Sequence, residues 1–156
     1  MAAKKMALIA TKGTLDMAYP PFILASTAAA LGWEVQIFFT FYGLQLLRKN
    51  LDDIKISPLA NPAMPMPVPM PVFVQMLPGM ESMATMMMKA KMKSKGVASL
   101  AELREVCQEA EVKFVACQMT VDLFEFKTSD FIEGLEYGGA ATFMKFAGES
   151  DVCLFI

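Results

Sequence analysis

Residues 113–126 read KFVACQMTVDLFEF, and two periodicities meet inside this stretch. Up to Cys117 the run is apolar on both faces, as a strand buried in a parallel sheet requires. Beyond it the spacing becomes that of a helix, predicted to open on Thr120 as its N-cap. A strand running into a helix is half of a βαβ unit, and the rest of the chain repeats it.

Upstream, KKMALIATK (4–12) is a first strand, and TLDMAYPPFILASTAAALG follows as a helix ending at Gly32. Pro20 and Pro21 are expected in the first turn of that helix, where missing N–H groups cost least. WEVQIFFTFYG is a second strand bounded by Gly43. LQLLRKNLDDI reads as a helix with Leu44, Leu47 and Leu51 on one face. Ser99 and Glu102 form a capping-box pattern ahead of LAELREVCQEA. Downstream, EGLEYGG is a short strand or turn, AATFMKFAGES a helix and DVCLFI a closing strand.

Apolar strands alternating with helices predict an α/β fold. The expected form is a three-layer sandwich around a mostly parallel sheet, Rossmann-like or flavodoxin-like, as one domain over residues 1–156. Reactive groups in such sheets gather at the carboxyl ends of the strands. Cys117 stands at such an end, and a helix start beside it favours thiolate over thiol.

One segment breaks the pattern. Residues 57–96 hold prolines at 58, 62, 65, 67, 69 and 71, which forbid a regular helix there. From Gly79 the chain regains helical spacing, with Met76, Met80, Met83 and Met87 in a stripe and Lys89, Lys91, Lys93 and Lys95 after it. This Met/Pro-rich segment reads as an insertion on the domain. Its thioethers, those of Met64, Met66 and Met70 included, are soft enough for copper(I). An adaptable contact surface between subunits or against a partner is the reading preferred here, ahead of one that lies on a membrane surface, and no metal is assigned.

The chain has 156 residues, 55% hydrophobic and 19% charged, with a net charge of −2. So small a charge gives no footprint for nucleic acid. No run is long and apolar enough to span a membrane, and the N-terminus lacks the pattern of a secretory signal. Three cysteines without framework spacing fit a reducing cytoplasm. The absence of histidine excludes Ser-His and Cys-His catalysis and histidine-ligated zinc. Glu133 and Glu136 form no convincing acid/base pair, which argues against a hydrolase. A nucleophile here has to be activated by main-chain groups or by lysine and arginine. Cys107 falls on the apolar face of its helix with Leu100, Leu103 and Ala110, and Cys153 reads as core. Cys107 and Cys117 are offset by roughly 10 Å along their helix and strand, beyond disulfide reach without rearrangement.

VKFVACQMTVDLFEFKTSDFIEGLEYGGAATFMKFA, residues 112–147, resembles the DsrE/DsrF/DsrH-like family of sulfur-relay proteins, in its larger DsrE-like branch. Shared features are the cysteine before a short methionine-containing run, an aspartate at Asp122, an acidic loop and a Gly-Gly-Ala turn. TKGTLDMAYPPFILASTAAALGWEV and the Met/Pro-rich middle extend the likeness over nearly the whole chain. After Asp122 the chain has LFEF where relatives often have glycine. The resemblance implies a sulfurtransferase or sulfur carrier that holds sulfane sulfur as a persulfide. The family's reactive cysteine maps onto Cys117, and a second, seen in some relatives, onto Cys107. It further implies no cofactor, a homo-oligomer (trimer, tetramer or hexamer) and a TusA-like or other sulfur-relay partner in the cytoplasm. The competing expectation is a non-catalytic oligomeric module that binds a membrane or redox partner through the Met-rich segment.

Overall fold

The computed structural model describes residues 2–57, 67–68 and 71–156, without the side chain of Gln75. Five strands, β1 (Lys5–Ala10), β2 (Glu34–Phe39), β3 (Lys113–Cys117), β4 (Glu136–Gly138) and β5 (Val152–Phe155), form one sheet in the order β4-β3-β2-β1-β5. Every pairing is parallel. Helices α1 (Leu15–Ala30), α2 (Val72–Gln75), α3 (Met80–Ser94), α4 (Leu100–Glu109), α5 (Gln118–Leu123) and α6 (Ala140–Ala147) complete it. This is the expected α/β sandwich. The central strands are apolar on both faces because both are covered.

The two coverings are unequal. Alternate strand residues (Leu8, Ala10, Val35, Ile37, Phe39, Phe114, Ala116) face a large cluster built on α1 and α4, with Phe22 fully buried at its centre. Phe22, Phe39 and Phe114 meet there with ring centroids 5.3–5.9 Å apart. The intervening residues (Ala7, Phe38, Val115, Cys117) meet a small cluster closed by Phe143 of α6. Phe38 and Phe143 stack at 5.2 Å.

Several local readings hold. Gly32 (φ 80°) follows the end of α1, its N–H bonded to Ala29 and that of Trp33 to Ala28, which satisfies the last carbonyls. The Ser99 hydroxyl accepts from the Glu102 N–H at 3.2 Å, while the Glu102 carboxylate accepts from the Ser99 N–H at 2.6 Å.

Others are corrected. Pro20 and Pro21 sit inside α1, not in its first turn, because the helix already starts at Leu15 after Thr14. The helix read over LQLLRKNLDDI is absent. A 3-10 segment, Phe41–Leu47, occupies its start, and Arg48 is extended and bridges Phe131. The reason lies in Arg104, whose buried guanidinium donates to the carbonyls of Leu46 (2.9 Å) and Arg48 (2.6 Å). Those carbonyls would have accepted the next helical bonds. Leu44, Leu47 and Leu51 are buried all the same, so the apolar spacing was met by a different backbone. Cys153, expected in the core, is exposed on β5, the edge strand of the sheet among the described residues.

Much of the Met/Pro-rich segment, with Pro58, Pro62, Pro65, Pro69, Met64, Met66 and Met70, lies outside the described residues. Of the rest, α3 turns helical after Gly79 (φ 87°). It presses Thr85 onto the domain, where the Thr85 hydroxyl accepts from the Ile56 N–H at 3.1 Å. Met83, Met86 and Met87 face outward, as do Phe73 in α2 and Met76 at its end.

Candidate functional site

Cys117 is the last residue of β3 and itself the N-cap of α5, with extended backbone (φ −67°, ψ 109°). The predicted cap, Thr120, is instead the third residue of the helix and fully buried. Strand and helix therefore join without a linker, and the sulfur stands at the junction. Asp122, expected in the first helical turn, is in the last, where it accepts from the Gln118 amide at 2.8 Å.

Sheet order brings a second strand end to the sulfur. Phe39 pairs with Ala116 in the β2–β3 register, so the next residues, Thr40 and Cys117, stand side by side. The Thr40 and Thr120 hydroxyls lie 3.2 Å apart in a hydrogen bond, and the Phe41 N–H donates to Thr120 Oγ1 at 3.2 Å. Phe41 reaches that position with φ 48°, a left-handed conformation uncommon outside glycine. Gly43 makes the turn possible, since a Cβ there would stand 2.0 Å from the Ala10 carbonyl oxygen.

Burial raises the Cys117 pKa, and facing donors outweigh it: the Thr120 hydroxyl and N–H, the Thr40 hydroxyl and the Met119 N–H. The net shift is downward from the ordinary thiol value. No side-chain cap bond forms on the sulfur in this geometry. Cys117 is 4% exposed, while the elements meeting over it carry exposed apolar side chains: Phe41, Tyr42, Met119, Leu123, Phe124 and Tyr137. Tyr42 stacks on Phe124 at 6.0 Å, with Phe41 edge-on to the same ring. The thiol is thus covered, and exposed aromatic side chains stand on the segments that adjoin its strand end.

Cys107 has the opposite setting. It is fully buried against α1, and its thiol donates to the Phe22 carbonyl at 3.3 Å. Burial pushes its pKa up to about 11. Cys107 belongs to the large cluster and Cys117 to the small one, so the sheet stands between the two sulfurs. The separation expected along the chain is reinforced across the sheet. Thr40 carries no sequence signal of its own. Only the adjacency of β2 and β3 points to it. Among the described residues no three His, Cys, Asp or Glu side chains group as metal ligands, and no helix is long and apolar enough to cross a membrane.

Comparison with known proteins places this geometry. The pattern of the DsrE/DsrF/DrsH-like family matches residues 2–155. A protein of Allochromatium vinosum named sulfur carrier protein DsrE2 is 67% identical over the full length of both chains. The Bacillus subtilis protein YrkE, of uncharacterized function, is 34% identical over 98% of this chain and 97% of its own. Among solved structures, the ychN protein of E. coli superposes with a TM-score of 0.56, covering 98% of this chain and 99% of its own. At 11% identity that likeness is one of fold.

Proposed function

Since the chain belongs to the DsrE/DsrF/DrsH-like family, we propose that it is a sulfur carrier which holds sulfane sulfur as a persulfide on Cys117. The observation that carries this reading is the placement of Cys117. Its sulfur stands at the carboxyl end of a central strand among hydrogen-bond donors that favour the thiolate. No histidine is needed, because the anion is stabilised rather than generated by a paired base.

The transfer is an exchange at sulfur. The Cys117 thiolate attacks the outer sulfur of a partner persulfide, R–S–SH. A new S–S bond forms to Cys117, the partner's S–S bond breaks, and R–S⁻ departs with the electron pair. The proton stays on the transferred sulfur and no external oxidant is required. Delivery is the same step in reverse, with an acceptor thiolate attacking the outer sulfur on Cys117. The partner is a thiol-bearing sulfur-relay protein, TusA-like in kind, met in the cytoplasm, and the carrier works as a homo-oligomer. The exposed aromatic side chains beside the Cys117 strand end suit a protein surface better than a free polar solute, because apolar collars exclude water around a buried contact. Cys107 serves as a second sulfur stop only if the α1–α4 packing opens to release its proton.

Incubation with polysulfide followed by intact-mass measurement tests the reading. A gain of about 32 Da per sulfur is expected, removed by thiol reductant and abolished in Cys117→Ser. Loading of Cys117→Ser at the parent level would sink it.

A second reading draws on the outward apolar side chains Val72, Phe73, Met76, Met83, Met86 and Met87. In it the α2–α3 segment docks a membrane or redox partner and the chain is a binding module. Deleting residues 60–92 would then abolish partner binding, while Cys117→Ser would leave it intact.

A further inference from the structure

We propose that Thr40 and Thr120 act as a two-hydroxyl clamp that positions and stabilises the Cys117 thiolate, in the place a histidine holds in other thiol sites. The inference rests on the sulfur-carrier reading of Cys117 and names its positioning residues.

Two hydroxyls carry two protons, and the hydrogen bond between Thr40 and Thr120 uses one. If Thr40 donates, Thr120 Oγ1 accepts from both Thr40 and the Phe41 N–H, and its own proton is left over. If Thr120 donates, the Thr40 proton is left over. In either arrangement one O–H remains, and both threonines stand at the Cys117 junction, Thr40 beside it in the β2–β3 register and Thr120 in the first turn of the helix that Cys117 caps. The Phe41 N–H holds Thr120 Oγ1 in an accepting role, at the expense of a left-handed residue. Such strain persists only where surrounding structure enforces it. Thr120 is fully buried and beyond the reach of bulk water, so its spare proton has few partners other than the sulfur. When Cys117 loses its proton the clamp rotates one O–H onto the anion, with no net proton gained or lost by the threonines.

At the sulfur's end of the surrounding elements the titratable side chains are Asp122 on α5, Glu125 beyond it, Tyr42, Glu136 and Tyr137 on β4, and Lys145 on α6, while Lys113 and Glu34 stand at the opposite ends of β3 and β2. Asp122 is engaged by Gln118. None of these side chains is among the groups that set the Cys117 shift, which come from burial, the two hydroxyls and two main-chain N–H groups.

The test is the pH profile of Cys117 alkylation by iodoacetamide in the full chain, read peptide by peptide so that exposed Cys153 does not interfere. Thr120→Val is expected to move the apparent pKa upward by about one unit, slowing alkylation near neutral pH about tenfold. Thr40→Val moves it less in the same direction, and Thr120→Ser, which keeps the hydroxyl, returns the rate to within about twofold of the parent. A merely structural role would move Thr120→Ser and Thr120→Val together. Should Thr120→Val fail to fold, Thr40→Val decides: a raised pKa upholds the clamp and an unchanged profile overturns it. Profiles of both valine variants that superimpose on the parent also overturn it. Alkylation does not depend on sulfur loading. A shifted profile in a protein that never gains sulfur therefore sinks the carrier reading and leaves the clamp standing.

Discussion

The two faces of the sheet differ in depth, and each holds a cysteine whose chemistry follows from its side. On the α1–α4 face, Cys107 lies in a large aromatic and aliphatic cluster, donates its proton to a main-chain carbonyl and is pushed up to about 11. On the α6 face, Cys117 lies in a cluster of five buried residues, and donors outweigh burial and bring its pKa down. Both thiols are nearly inaccessible by area. Burial alone therefore does not set reactivity. What separates them is the balance of two effects: burial prevails around Cys107, whereas around Cys117 the facing donors outweigh it.

The largest expected effect probes the depth of the faces. Phe22→Ala removes the ring at the centre of the thick face, and urea unfolding should register a loss of about 3–5 kcal/mol. Phe143→Ala, on the thin face, opens a site closer to solvent and should cost less, toward about 2–3 kcal/mol, because neighbouring groups and water fill it. Equal losses would erase the distinction between thick and thin faces.

Next comes the thiol contrast itself. With Cys107 near 11 and Cys117 below the ordinary 9.0, the thiolate fraction at neutral pH differs by at least about a hundredfold. Iodoacetamide should label Cys117 faster than Cys107 by that margin in the folded protein. Each rate rises as pH rises through its own pKa, so the Cys117 curve levels off first. Equal labelling of the folded protein would break the comparison, whereas in urea the two rates should converge.

A smaller effect bears on how the surroundings of Cys117 are assembled. Gly43→Ala drives a Cβ into the Ala10 carbonyl, backbone against backbone, where no side chain can yield. A loss of about 2 kcal/mol is expected. The displaced 3-10 segment should also carry Phe41 away from Thr120 and slow Cys117 alkylation, with Cys107 unaffected. Stability lost with an unchanged Cys117 profile would detach this turn from the site.

Much of this layout was legible in the chain itself. Apolar strands alternating with helices made the parallel sheet readable, and the strand-to-helix switch at Cys117 marked the candidate position. Ser99 and Glu102 announced their cap because a capping box is local. The failures share a different cause. Leu44, Leu47 and Leu51 satisfy a helical period, yet Arg104, more than 50 residues away, takes the carbonyls that helix needed. Thr120 looked like a cap because threonine favours that place. The helix had already begun at Gln118, which left Thr120 to meet Thr40 across the β2–β3 pairing. Non-local hydrogen bonds decided each case, and periodicity carries no record of them.

The mildest perturbation acts at the far end of the helix that carries Cys107. Ser99→Ala deletes one half of the capping box, and a surface cap of this kind contributes about 1 kcal/mol. Leu100 remains to anchor the first turn in the core, so fraying should stop there. Cys107 lies two turns further on, held by the Phe22 carbonyl, and its slow alkylation should persist. Hydrogen exchange of the first α4 amides would rise while those around Cys107 keep their protection. If the loss at Ser99 instead exposed Cys107 to rapid labelling, α4 would open as one unit. Proton release from the thick face would then lie within thermal reach, and the second cysteine would enter the sulfur route that its packing now closes.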